Sequence, residues 1–314
     1  MAVLGLLAAC SEKEDLEREV PVTAIDLNWE KITLETGDSE ELPVKVTPAN
    51  ATGPALTWVS SNPEVAEVSE GMVVARGPGK TEITVSSGAL TDKCTVKVIL
   101  PVLQQPVDLG LSVRWASCNV GAEKPDDYGD YFAWGETEPH YYSRDPLRWR
   151  TSDGYTWDSY AWWISAYGKL TKYCPTGLNY YWFSNDETDG KTKLDREDDA
   201  ARDNLGRRWR TPTYTEWMEL KTDCIWEEWT TGNGIYGRKV TSKKNGNSIF
   251  LPAAGCANNK SISGMGGSGW YMSSSVYADS PFYTWYLFFI TSEGVNVYST
   301  HRYYGFSVRP VFVL

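Results

Sequence analysis

Histidine is almost missing from this chain, with 2 residues in 314. That shortage excludes most His-ligated metal centres and leaves little for a Ser-His or Cys-His catalytic pair. Positive charge is short as well: 30 Lys and Arg stand against 41 Asp and Glu, a net charge of −11. Phosphate neutralisation needs clustered basic residues, so nucleic acid is excluded as a partner. No apolar run reaches the roughly 20 residues that a membrane-spanning helix requires. What the chain has in quantity is rings: 15 Trp, 19 Tyr and 8 Phe. Such a load suits either a Trp-rich core or a surface built to grip ligands. A charged fraction of 23% and an apolar fraction of 41% are ordinary for a soluble protein, and at roughly 100–200 residues per domain the length implies two domains.

Residues 1–10 form a short apolar stretch that ends in small residues before a cysteine. Leu7-Ala8-Ala9-Cys10 resembles the lipobox of bacterial lipoproteins, in which the cysteine is lipidated and becomes the new N-terminus. The Lys or Arg that usually opens such a leader is missing. Residues 11–21 follow as an acidic tether, which resembles the signal that sends some lipoproteins to the outer cell surface. The resemblance implies lipidation at Cys10 and a cell-envelope protein, held to the outer membrane by its lipid and exposed at the surface.

Between residues 22 and 100, short alternating runs (24–27, 42–46, 82–85 and 94–98) are punctuated by Gly, Pro and Asn. Period-2 alternation at that spacing predicts an all-β sandwich. Trp58, Ser60-Ser61-Asn62, Val65-Ala66, Gly71, Val73-Val74-Ala75, Gly79 and Ile83-Thr84-Val85 resemble the bacterial Ig-like group 2 domain. Trp58 is then expected between the two sheets, and the module is expected to act as a spacer. Pro101 and Pro106 make residues 101–106 a semi-extended linker.

A second domain is expected over residues 107–314. Strand-like runs lie at 108–116, 129–136, 248–252, 285–291 and 306–314, and helices are predicted at 197–205 and 213–224. The second helix opens with Thr213-x-x-Glu216, a capping box, just after Pro212. Two short helices, several strands and long Gly/Ser/Asn-rich loops predict an α+β domain. Trp115-Ala116, Asn119-Val120-Gly121, residues 131–136, Trp209-Arg210-Thr211-Pro212-Thr213, residues 249–255 and residues 305–311 resemble the Fibrobacter-type major paralogous domains of secreted bacterial lipoproteins. Those domains are C-type-lectin-like and related in fold to sulfatase-modifying factors, so the resemblance implies a C-type-lectin-like scaffold with a long loop region that presents a binding face.

Tests for chemistry come back weak. Gly264, Gly266 and Gly269 match a dinucleotide-loop spacing, but no helical period follows and no acid stands at the right distance. The late cysteine pair of the formylglycine-generating relatives is missing, since no Cys follows Cys256. Nor do the Glu-Pro-Asn, Gln-Pro-Asp or Trp-Asn-Asp triplets of calcium-dependent lectins occur. The acidic run 186–199 offers oxygens of the kind calcium takes. With Gly190 at position six of an EF-hand loop, however, position twelve falls on Arg196. The expectation is therefore no cofactor, with calcium at this run as the alternative and a solvated helix-N-terminal acidic patch as the plainer account. Setting Cys10 aside leaves five cysteines, enough for two bridges at most and one free thiol.

From residue 261 to 314 the only formally charged residues are Asp279, Glu293, Arg302 and Arg309. Alternation along 285–291 puts Trp285, Leu287 and Phe289 on one face and Tyr286, Phe288 and Ile290 on the other. With two short helices available, only one of those faces is expected to be covered. Residues 276–304 also resemble the variable region of diversity-generating retroelement target proteins. Randomised Asn codons there cannot yield Trp, Lys, Glu, Gln or Met, and only Trp285 and Glu293 of those types occur in the stretch. The candidate ligand-binding residues are Tyr277, Phe282, Tyr283, Tyr286, Phe288, Ile290, Tyr298, Thr300, His301, Tyr303 and Tyr304. The expected function is non-catalytic recognition or adhesion toward a protein or glycan ligand. The alternatives are a fimbria-associated or structural adhesin component and, behind it, a sulfatase-modifying-type enzyme.

Overall fold

The computed structural model describes residues 19–53, 55–100, 104–144, 147–150, 152–177, 183, 188–231, 233–290 and 294–313. The Cys10 lipobox and the acidic tether up to residue 18 lie outside the described residues. The chain is mostly β-sheet with few helices.

The first nine strands are β1 (Ala24–Leu27), β2 (Lys31–Glu35), β3 (Ser39–Glu41), β4 (Val44–Thr47), β5 (Thr57–Ser60), β6 (Ala66–Ser69), β7 (Met72–Ala75), β8 (Gly79–Ser87) and β9 (Leu90–Ile99). They form the sheets β2-β9-β8-β5 and β3-β7-β6 and the pair β1-β4. Alternation drives their packing: Thr81, Ile83 and Val85 of β8 and Cys94, Val96 and Val98 of β9 point inward, while their neighbours face out. Leu34, Ala66 and Val73 complete this core. Trp58, half-buried on the edge strand β5, packs against this core and reaches toward the other sheet, at the rim of its expected place between the sheets. Its ring lies 3.2 Å from where a Cβ on Gly71 would sit, at φ +83°.

The second unit begins with β10 (Pro106–Val107), β11 (Arg114–Ala116), β12 (Tyr131–Phe132), β13 (Tyr141–Arg144), β14 (Leu147–Trp149), β15 (Trp163–Ile164) and β16 (Lys169–Leu170). Then come α1 (Ala200–Leu205), β17 (Trp209–Arg210), α2 (Tyr214–Asp223), β18 (Cys224–Thr230), β19 (Tyr236–Ser242) and β20 (Ser248–Pro252). The chain closes with β21 (Cys256–Asn258), β22 (Ser261–Ser263), β23 (Ser268–Val276), β24 (Tyr283–Ile290), β25 (Val295–His301), β26 (Phe306–Ser307) and β27 (Val311–Phe312). The central sheet runs β12-β26-β23-β24-β25; smaller sheets β10-β11-β27-β17 and β18-β19-β20 flank it. The strands expected over 108–116 and 129–136 are shorter than read. Gly110 turns the chain at φ +66°, its N–H held by Asp108 Oδ1 at 2.7 Å, and Ser112 donates to Glu219 rather than to a strand.

Helix α2 starts where its capping box places it: Glu216 N–H donates to Thr213 Oγ1 at 3.3 Å, and Thr213 N–H donates to Glu216 at 2.8 Å. Its Trp217 and Leu220 are buried with Tyr271, Leu287 and Phe289 of the central sheet. The Trp217 indole N–H donates to the Met272 carbonyl at 3.0 Å. Two of the few charges in the C-terminal tail are also internal. Arg309 is fully buried and donates to Asn119 Oδ1 and to the carbonyls of Ala116, Ser117 and Phe250. Arg302, equally buried, donates to the carbonyls of Lys172 and Tyr173 and lies 4.8 Å from the Trp134 ring.

The two units touch. Asp203 of α1 accepts from Thr33 Oγ1 at 3.2 Å and from Lys97 Nζ at 3.1 Å. Arg207 pairs with Glu40 at 2.7 Å and Asp38 at 3.3 Å, and Arg196 lies over the Trp29 ring at 4.7 Å.

Candidate ligand-binding face

The central sheet has two unlike faces. Leu287 and Phe289 of β24 are fully buried under α2. On the same side Trp285 meets Tyr214, the first residue of α2, at 4.5 Å, and Tyr277 at 5.0 Å. Tyr283 shares that side by alternation and contacts Tyr277 at 6.4 Å. So Tyr277 and Tyr283, expected with Tyr286 and Phe288, stand across the sheet from them.

The opposite side carries a stack of rings. Strand register sets Trp270 opposite Phe288 and Tyr286 opposite Tyr298. Trp270 lies parallel to Tyr286 with centroids 4.9 Å apart, and Phe306 closes on both, at 5.7 Å from Trp270 and 5.2 Å from Tyr286. Tyr286 is therefore only 6% exposed, a correction to its expected solvent position. The physical reason is non-local: Trp270 and Phe306 flank it, and the Trp134 core continues beneath. Desolvation pushes its phenol up to about 12. The open part of this side is Phe288, Trp270 and Tyr304, each half-buried, with Tyr298 at 47% exposure. Thr300 pairs with the buried Thr284, and Ile290, also half-buried, gives its carbonyl to Arg238 at 2.6 Å.

At the sheet's end the stack turns a corner. Tyr304 contacts Phe306 at 6.2 Å and Tyr303 at 4.7 Å, and Tyr303 stacks on His301 at 5.4 Å. Trp157 joins from a distant loop, 5.1 Å from Tyr303, 5.7 Å from His301 and 5.9 Å from Phe282. Trp163 backs it at 4.7 Å. Burial lowers His301 below the ordinary imidazole range, and desolvation, then Tyr304, pushes Tyr303 up to about 12. At neutral pH these rings carry no charge. Such a ledge offers broad apolar faces with hydroxyls at the rim.

Sequence reasoning missed Trp157, Trp163 and Trp270. Trp270 had a usable signal, since Trp270 and Met272 begin the alternation of β23; the glycines before it form the turn from which that strand starts. Trp157 had none, because its partners in the ledge, Phe282, His301 and Tyr303, lie more than a hundred residues away.

The acidic run holds a cation of its own. Asp195, Glu197 and Asp198 converge within 4.8 Å, but Lys172 Nζ sits among them at 2.9, 3.2 and 2.6 Å. Asp189 accepts backbone N–H groups of Tyr173 and Cys174. Asp199 caps α1 and binds Thr211. These carboxylates do not fit calcium, which would have to displace the ammonium; Asp186 and Glu187 lie outside the described residues. The five cysteines from Cys94 to Cys256 are all unbridged.

Residues 21–98 match the model of the bacterial Ig-like domain (group 2), so the first nine strands are a module of that family. Residues 234–311 match the model of a domain of unknown function, DUF8237. No curated protein matches the chain. Among solved structures, domains 4 and 5 of the S-layer protein SbsC are 20% identical over 25% of this chain and 52% of that one, with a TM-score of 0.23. Domains 5–6 of the same protein align over 89% of this chain and 96% of theirs, at 11% identity and a TM-score of 0.24. A quinonprotein alcohol dehydrogenase-like protein from Bacteroides thetaiotaomicron aligns over 87% of this chain and 48% of its own, at 10% identity and a TM-score of 0.17. The chain spans about half the length of the first of these structures, and overlaps this loose fix neither a shared fold nor a shared activity.

Proposed function

We propose that this chain is a non-catalytic recognition protein of the cell surface. In this reading Cys10 carries a lipid anchor, the Ig-like module holds the working domain off the membrane, and a C-type-lectin-like head engages a protein or glycan ligand. The observation that carries it is the neutral ring ledge of Trp157, Trp270, Phe288, Tyr298, Tyr303 and Tyr304, partly open on a sheet whose other face is closed by α2. Covering three or four such rings supplies several kcal/mol against an association cost of about 4–15 kcal/mol. The ledge is smaller than the span 276–304: Tyr277 falls outside it, and Tyr283 touches its corner through His301, at 4.7 Å. Within the same reading, codon randomisation by a retroelement would vary the rim positions Tyr298, Thr300, His301, Tyr303 and Tyr304 while framework residues such as Leu287 stay fixed.

The test is a glycan and protein array probed with the wild type and with a Phe288→Ala/Tyr298→Ala/Tyr304→Ala variant. The reading requires a bound partner whose signal falls at least about tenfold in the variant, the loss of about 1.4 kcal/mol. Undiminished binding by the variant contradicts it. Labelled palmitate incorporation, lost in Cys10→Ser, tests the anchor. An adenine-differing near-copy of the coding segment beside a reverse-transcriptase gene tests diversification.

A further inference from the structure

His140, one of the two histidines, is 6% exposed. Its ring lies parallel to that of Tyr155, with centroids 4.3 Å apart. Both ring nitrogens face oxygen: Nδ1 lies 2.7 Å from the Gly154 carbonyl, and Nε2 meets Glu136 Oε2. A neutral imidazole has one N–H and one lone pair, so it can donate to only one of these acceptors. The pair is complete only with one further proton, formally an imidazolium beside a carboxylate.

The same two residues hold both ends of one segment. The Gly154 carbonyl takes the His140 Nδ1–H and also the Ser159 hydroxyl at 2.6 Å. The second Glu136 oxygen accepts the Ala161 N–H at 2.8 Å. Between these anchors stands Trp157, which reaches Phe282, His301 and Tyr303. Gly154 tolerates no side chain, since a Cβ there would lie 2.0 Å from the Asn259 carbonyl oxygen.

We propose that His140 and Glu136 form a proton-holding clamp that fixes residues 154–161 and so sets Trp157 into the ring ledge, which loosens when the clamp releases its proton to solvent. Only the consequence for ligand binding rests on the function proposed above; the clamp does not.

The groups facing the imidazole agree with this. Burial by itself draws His140 down, but the Glu136 hydrogen bond and charge and the Gly154 carbonyl outweigh it, leaving His140 above the ordinary imidazole range. Arg150, after the β13–β14 hairpin, opposes the proton and is paired with Glu138 at 2.7 Å. Tyr155 and Tyr141 are pushed up chiefly by desolvation and stay neutral. Asp130 accepts from the Tyr141 hydroxyl at 3.0 Å, and the Tyr155 hydroxyl donates to the Tyr131 carbonyl. With the folded value raised, the clamp is intact below the ordinary imidazole range and is lost as pH climbs through the folded value.

Two histidines make the experiment tractable. Long-range proton–nitrogen NMR of the full chain with labelled imidazoles, from about pH 5 to about pH 9, follows both rings, with His301→Gln for assignment. His140 is expected to titrate above the ordinary imidazole range, doubly protonated below its midpoint, and the Trp157 indole resonance, assigned through Trp157→Phe, is expected to move with the same midpoint. In Glu136→Gln the amide oxygen still takes the Ala161 N–H and the amide NH2 donates to Nε2, so a neutral His140 suffices. The Trp157 step should vanish there, and the His140 midpoint should fall by at least one unit, a tenfold loss of proton affinity. A wild-type His140 midpoint at or below the ordinary imidazole range overturns the proposal whatever the variant's stability. A Trp157 step unchanged in Glu136→Gln overturns it as well. Neither readout involves a ligand, so a failed clamp and a failed recognition reading give different results.

Discussion

Tyr286 and Tyr298 face each other across neighbouring strands and differ chiefly in cover, so truncating each in turn reads out the shape of the ledge. A buried aromatic ring removes about 150–250 Å² from water, and at about 25 cal/mol per Å² that is at most about 4–6 kcal/mol. Tyr286 sits at 6% exposure between Trp270 and Phe306, and comparable ring-to-alanine changes cost about 3–5 kcal/mol. Tyr298, at 47% exposure, should lose no more than about 0.5–1 kcal/mol. At about 2–4 °C per kcal/mol for a domain of this size, Tyr286→Ala lowers the head's melting transition by about 6–20 °C. Tyr298→Ala then moves it by no more than about 4 °C. Differential scanning calorimetry of the full chain measures both. A Tyr286→Ala shift as small as that of Tyr298→Ala would refute the covered position of Tyr286 and the packing built on it.

Four further outcomes follow from the fold. Thr213→Ala removes the cap of α2 and should cost about 1 kcal/mol in denaturant unfolding, with Thr213→Ser near neutral. Asp203→Ala strips the acceptor shared by Thr33 and Lys97, and should raise the radius of gyration in small-angle scattering. Lys172→Met takes the ammonium from Glu197 and Asp198 and leaves Lys191 on Asp195; it should destabilise the head by about 1–3 kcal/mol at neutral pH and recover on acidification, as the carboxyls protonate. Added calcium should leave wild-type melting unchanged, because the ammonium already fills the carboxylate cluster.

What was legible in the sequence was what is local. The capping box of α2 lies within four residues and is realised as read. Alternation in β24 sorted Leu287 and Phe289 from Tyr286 and Phe288 correctly, since side chains swap sides at every residue. Cover is a different matter. Whether Tyr286 is open depends on Trp270, sixteen positions earlier, and on Phe306, twenty later. The same alternation, carried to Tyr283, would already have moved it to the α2 side. The acidic run offered calcium ligands on paper, but Lys172, more than twenty residues before Asp195, supplies the cation. Trp157 reaches the ledge through contacts of Gly154 and Ala161 with His140 and Glu136 that no spacing rule encodes.

Two other open rings, Trp229 and Tyr236 on opposite faces of the β18–β19 hairpin, give the recognition reading rival surfaces to the ledge. Hydroxyl-radical footprinting of the full chain, free and bound to its array partner, compares them in one measurement. Protection of Trp157, Phe288, Tyr298 and Tyr304, with Trp229 and Tyr236 unchanged, is the predicted result. Protection confined to Trp229 and Tyr236 would contradict it.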